Sequence, residues 1–183
     1  MLGSWAGRVA LCLSLAGQAA IAGPINVRQS SSCRELSTTT PNWHISNAIS
    51  SDWPGGGGGR VSFFARHIPT AVLNACNVEY RLNGTDGKII DYDPTVEHAC
   101  INFVESNLNT TVLLDMDSLL LTLRSTWACD GDESMAAYEA TGKTTLDRDT
   151  SPGACIVEPT MVGDSTTCPI AEVEVEGQLA EES

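Results

Sequence analysis

The chain has 183 residues, 42% of them apolar, and a formal charge of −13 from 23 acidic against 10 basic side chains. That length suits one domain with a core of its own. A surface this acidic repels nucleic acid and anionic membranes, which both demand clustered Lys and Arg, so neither is expected as a partner.

Reading from the start, Arg8 precedes the apolar run Val9 to Ala16, which leads into Ala20-Ile21-Ala22. This is the pattern of a secretory signal peptide, and we place its cleavage after Ala22. The remaining 161 residues (183 − 22) keep nine basic side chains against 23 acidic ones, a charge of −14. No later apolar stretch reaches the ~20 residues that span a bilayer. The polar end Glu181-Glu182-Ser183 is no lipid-anchor signal. A secreted, extracellular product is expected, either a monomer or a weak dimer.

Cys12 leaves with the leader. Cys33, Cys76, Cys100, Cys129, Cys155 and Cys168 are even in number and enter an oxidising compartment, so disulfides are expected, each worth about 2–4 kcal/mol. Zinc is not indicated: no C-x2-C pair occurs, and the closest two, Cys155 and Cys168, are 13 apart. Spacing alone leaves the pairing open.

Residues 23–41 are rich in Ser, Thr and Pro and read as an irregular segment tied down by Cys33. A strand over 43–48 follows. The run Gly55 to Gly59 reads as a flexible loop, because glycine loses most entropy inside a strand or helix. A phosphate-binding loop would need Lys-Ser/Thr next, and Arg60-Val61-Ser62 stands there instead.

Beyond the glycines the apolar period is two. Val61, Phe63 and Ala65 share one face. Leu119, Leu121, Leu123, Trp127 and Cys129 share another, and Ala136, Tyr138, Ala140 and Gly142 a third. Asn83-Gly84 and Asp86-Gly87 punctuate a hairpin. Further strands are expected at 72–80, 100–105, 110–116 and 153–158. Many short strands with regular turns indicate an all-β fold, a compact antiparallel β-barrel or sandwich braced by disulfides, over residues 42–160. An acidic tail over 161–183 completes the chain. Its stretch Ala171 to Glu176 alternates like an edge strand with one acidic face, and 177–183 are expected to be disordered.

Asn83-Gly84-Thr85 and Asn109-Thr110-Thr111 are N-glycosylation sequons, so Asn83 and Asn109 are candidate glycan carriers. The pairs Asp91/Asp93, Asp115/Asp117, Asp130/Asp132 and Asp147/Asp149 each offer two oxygens to a hard cation. The best of them, Asp130-Gly131-Asp132-Glu133, lacks the full calcium-loop spacing, and solvated turn aspartates are expected instead. Gly163-Asp164-Ser165 echoes an esterase nucleophile block, but His44, His67 and His98 all precede it and no G-x-S-x-G elbow exists. A secreted ribonuclease could be drawn from Glu97 and His98 with Arg66 or Arg81. A cysteine nucleophile is excluded if all six thiols are bridged. No catalytic residue, metal or cofactor is therefore expected. Trp43 and Trp127 fall in strand patterns as core anchors, while Trp53, beside Pro54 and the glycines, is expected to be exposed and suited to sugar stacking or a protein contact.

The order Trp43-His44-Ile45-Ser46, Val61-Ser62-Phe63, Cys76, Cys100, Phe103, Trp127-Ala128-Cys129, Tyr138-Glu139-Ala140-Thr141-Gly142 and Cys155 resembles small secreted proteins of filamentous fungi built like the major Alternaria allergen. The resemblance covers roughly residues 40–160. It implies a compact antiparallel β-barrel or sandwich with two intrachain disulfides, here Cys76–Cys100 and Cys129–Cys155. Cys33 and Cys168 would then tie the terminal segments together. The extra Cys168, the glycine run and the acidic tail depart from that pattern. The resemblance implies no shared catalytic centre. It points to an effector or elicitor that binds a host protein or a cell-wall glycan, with a carbohydrate- or small-ligand-binding protein and a secreted hydrolase or nuclease as alternatives.

Overall fold

The computed structural model describes residues 29–129 and 137–180, so the expected leader, the Asp130-Gly131-Asp132-Glu133 segment and residues 181–183 lie outside the described part. The described chain is all-β except for helix α1 (Gln29–Thr39) and a 3-10 turn at Pro54–Gly56. The strands are β1 (Trp43–Trp53), β2 (Gly58–His67), β3 (Leu73–Leu82), β4 (Ile89–Ile90), β5 (His98–Ala99), β6 (Ile101–Asn102) and β7 (Asn109–Asp115). They continue with β8 (Leu120–Ala128), β9 (Ala137–Thr145), β10 (Ile156–Thr160), β11 (Gly163–Ile170), β12 (Val173–Val175) and β13 (Gly177–Leu179).

One sheet runs β10-β11-β1-β2-β3-β4, with β12 also on β1 and β6 also on β3; the second runs β13-β9-β8-β7-β5. Two stretches of chain serve both sheets. The first passes from β5, paired with β7, directly into β6, paired with β3. The second passes from β12, paired with β1, into β13, paired with β9. These crossings close the ladder into a barrel, which removes most open edges. The β10–β11 hairpin projects from the upper half of β1 as a flap.

Period-two alternation explains which residues fill the barrel. Val61, Phe63 and Ala65 of β2, with Leu121, Leu123 and Trp127 of β8, are buried as their spacing requires. Removing side chains of this size from water is worth about 1.5–3 kcal/mol each. β1 outruns its expected end at residue 48 because a bulge resets its phase. The register shifts between Ser46 and Ile49, with Asn47 at φ 50°, so that Ile45 and Ala48 both point inward. Leu119, expected in the β8 face, instead sits in the preceding turn at φ 54°.

Three expectations are corrected. The irregular segment 23–41 contains α1, although its serines are poor helix formers. Tertiary contacts hold it: Ser37, fully buried, donates to the Cys33 carbonyl at 2.7 Å and accepts from the Trp127 indole at 2.8 Å. The stretch 161–183 is not a tail through most of its length. β11 lies between β10 and β1, β12 pairs with β1, and Gly177–Leu179, expected to be disordered, pairs with β9. The acidic stretch does alternate as read, with Val175 buried and Glu174 and Glu176 exposed.

The glycine run, third, is not a loose loop. Gly57 (φ 68°) closes the 3-10 turn, and Gly58 and Gly59 already belong to β2. A Cβ on Gly59 would lie 2.2 Å from the ring of Tyr80, so the absence of a side chain is what lets β2 and that ring meet.

All six cysteines of the described residues are bridged, as Cys33–Cys129, Cys76–Cys100 and Cys155–Cys168. Cys76–Cys100 is the pairing the resemblance implied, and it staples β3 to the β5–β6 crossing. The implied Cys129–Cys155 and Cys33–Cys168 pairings do not form. Ile156 faces Thr167 in the β10–β11 register, which sets Cys155 directly opposite Cys168. Cys129, at the end of β8, is left to α1 and Cys33.

Candidate binding surface

Three loops converge at one end of the first sheet. The β1–β2 turn is closed by Gly57 donating to the Pro54 carbonyl at 2.8 Å, and Leu82 of β3 donates to the Gly57 carbonyl at 3.0 Å. The β3–β4 hairpin closes through Asn83 donating to Lys88 and Gly87 donating to Asn83, both at 2.8 Å. The β10–β11 loop brings the Val162 carbonyl against Gly55, where a Cβ would lie 1.5 Å from its oxygen. Glycine thus appears where backbone meets backbone.

This end displays apolar side chains that the core does not use. Met161 is fully exposed and Val162 is 55% exposed, with Ile156 and Val157 behind them on the flap. Trp53 is half-buried rather than exposed as expected. Its indole packs against Gly56 and Gly58, and the Arg60 guanidinium lies 5.9 Å from the ring centroid, a cation–π arrangement. Asn83 sits in the same loop cluster, its Oδ1 accepting from the Thr85 amide at 2.9 Å. Asn109, at the start of β7, is exposed on the other sheet.

The residues from which a ribonuclease site was drawn are not brought together. Glu97 accepts from Arg124 at 2.6 Å, Arg81 pairs with Asp91 at 3.1 Å, and Arg66 lies on β2 in the other sheet from His98 of β5. The His98 Nε2 is buried and finds no hydrogen-bond partner among the described residues. The aspartate pairs serve their own turns. Asp93 accepts from Thr95, Asp115 from the amides of Asp117 and Ser118, and Asp149 from the Ser151 amide; these bonds hold all three carboxyls below their usual range. Among the described residues no group of His, Cys, Asp or Glu is arranged to hold a metal ion.

Two polar features escaped the sequence reading. His67 is fully buried, its ring 4.4 Å from Trp127 and 5.8 Å from Trp43 between centroids. Its Nδ1 shares a proton with the Thr70 hydroxyl at 2.9 Å, while Nε2 has no partner among the described residues. Burial disfavours the imidazolium and lowers the pKa to about 3. Position 67 falls in phase with Val61, Phe63 and Ala65, and that phase was the available signal. The second feature is Tyr80, whose hydroxyl donates to Asp52 Oδ1 at 2.5 Å. Burial, reinforced by that carboxylate, pushes the phenol above its usual range. Asp52 and Tyr80 are 28 apart in sequence, and only the β1–β2–β3 register reveals them as neighbours.

No protein-family model matches the chain, and no curated protein matches it. Among solved structures it is similar to the major allergen Alt a 1 of Alternaria alternata. The TM-score is 0.44 at 14% identity, over 78% of this chain and 97% of the allergen chain.

Proposed function

We propose that the chain is a secreted, non-enzymatic protein of fungal effector or elicitor type that binds a host protein or a cell-wall component. The carrying observation is the loop cluster. Three hairpin ends locked by glycine contacts present Met161 and Val162, beside the half-buried Trp53, on a rigid, disulfide-braced scaffold. Exposed apolar side chains on fixed loops favour recognition, because little ordering entropy opposes binding. The leader over residues 1–22 and the fully bridged cysteines support an extracellular site of action, and the sequons at Asn83 and Asn109 support glycosylation there. The high negative charge favours a soluble form and stands against nucleic-acid or membrane partners.

Leaf infiltration with the purified protein, beside a reduced and alkylated sample, tests this reading. Cell death, an oxidative burst or suppression of a known elicitor is expected from the folded protein and not from the control. Equal behaviour of the two samples at every dose would overturn the host-directed role.

A further inference from the structure

We propose that the outer face of β2, with its neighbours on β1, β3 and β6, is a docking strip for a linear acidic polysaccharide, a chain of uronate sugars. The proposal deepens the cell-wall reading above and rests on it.

The strip follows from alternation. With Val61, Phe63, Ala65 and His67 turned inward, β2 turns Arg60, Ser62, Phe64 and Arg66 outward. The two arginines are six positions apart along the strand, about 20 Å. The β1–β2–β3 register sets Ser46, Phe64, Ala75 and Ile101 in one row across the sheet, and Ile49, Ser62 and Asn77 in the next. Phe103 leaves β6 and lays its ring edge-on to Phe64, centroids 5.9 Å apart, while remaining 62% exposed. Two phenyl rings and Ile101, 69% exposed, thus form an apolar platform between two cations.

Charge identifies the occupant. Arg81, Arg124 and Lys88 pair with acids, namely Asp91, Glu97 and Asp86, whereas Lys143 on β9 has no ion pair among the described residues. Arg60 and Arg66 make no ion pair among the described residues. What sets Arg60 and Arg66 apart is that both stand on one strand face, on either side of the phenyl rings, with Arg60 also over the Trp53 ring. The acid in register with Arg60 is Glu79, which accepts from Asn77 at 3.0 Å. His44, in register with Arg66, faces Glu172 at 3.6 Å.

Guanidinium groups bind carboxylates through paired N–H donors, and flat aromatic platforms suit the C–H face of a sugar ring. A uronate chain offers both features along one line. A neutral glycan would leave both arginines idle. An acidic peptide could not add as a strand, because β1 and β3 already pair β2 on both sides.

The test is titration calorimetry of the intact secreted protein against polygalacturonate, cellohexaose and poly-glutamate, at low and high salt. Polygalacturonate alone is expected to bind, with affinity falling as salt rises. Arg60→Ala/Arg66→Ala is expected to weaken binding at least tenfold. Phe103→Ala, which removes an exposed ring, is expected to weaken it severalfold at unchanged thermal stability. Should the double arginine variant lose stability, Arg66→Ala alone, expected to weaken binding about threefold, replaces it.

Unchanged affinity in the arginine variants, equal binding of cellohexaose, or preference for poly-glutamate would overturn the strip. If polygalacturonate fails while a neutral wall glycan or a host protein binds, the strip is wrong and the broader reading survives. If no wall polymer and no host extract yields a partner, both fall.

Discussion

The Trp127 indole N–H donates to Ser37 Oγ at 2.8 Å across 90 residues of sequence, and the Trp43 indole does the same to Ser125 Oγ at 3.0 Å. The core is thus pinned by two buried hydroxyl–indole bonds, one to α1 and one between the sheets. Ser37→Ala leaves a buried indole donor unpaired and is expected to cost about 1–3 kcal/mol in urea unfolding. The same change in a Trp127→Phe background is expected to cost clearly less. An equal cost in both backgrounds would show that the bond is not what α1 contributes.

The bridges differ in what they constrain. Cys33–Cys129 encloses 96 residues and Cys155–Cys168 only 13. Removing the first with paired alanines is expected to cost on the order of 4–5 kcal/mol, and removing the second at most about 3. The second loss also stays local, since the flap hangs outside the closed ladder. Circular dichroism and hydrogen exchange should show the barrel strands unchanged in the Cys155→Ala/Cys168→Ala variant. Unfolding of the whole barrel would refute the flap assignment.

Gly59→Ala sets a methyl against the Tyr80 ring and is expected to destabilise by about 1–3 kcal/mol. Because Tyr80 holds Asp52, the near-ultraviolet tyrosine signal should change as well. A neutral result would mean that the ring swings away freely.

Acid sensitivity follows from His67. Its pKa falls from 6.5 in the unfolded chain to about 3 in the barrel. Between those values the unfolded state binds more protons, so stability rises with pH across that window and declines as pH drops below 6.5. The limiting slope is about 1.4 kcal/mol per pH unit. The depressed carboxyls of Asp93, Asp115 and Asp149 also lose their contribution on acidification, but only below the ordinary aspartate value of 3.8, outside the upper part of the window. Denaturation midpoints from pH 7 to 4.5, with an NMR titration of the His67 ring, decide the matter. A flat stability profile, or a ring that titrates near 6.5 in the folded state, would contradict the assignment.

Glycan occupancy is checked by intact mass before and after enzymatic deglycosylation. Asn83→Gln and Asn109→Gln are each expected to remove one glycan mass from the secreted protein.

The strands were legible because inward residues in β2, β7, β8 and β9 follow the period of two. Polar members of the same faces, His67, Ser125 and Thr110, were hidden by their chemistry, although their phase was correct and all three are buried. α1 was hidden because its sequence disfavours helix, and contacts with the distant Cys129 and Trp127 help to hold it. β11 was missed because Ser165, Thr166 and Thr167 look like a loop until β1 and β10 flank them. The half-buried setting of Trp53 depends on glycines folding back beneath the indole, a contact no local pattern encodes. The docking strip was equally out of reach, since Phe103 meets Phe64 only after the chain has crossed from one sheet to the other.

Because β12 and β13 lock β1 to β9, the first strand of the barrel waits for nearly the last. During synthesis β1 can find β2 early, but its other side stays bare until residues 163–175 leave the ribosome. A nascent chain stopped at residue 160 would carry two unpaired strand margins, those of β1 and β9, and be prone to self-association. The acidic stretch that holds β12 and β13 is therefore the latch of the molecule.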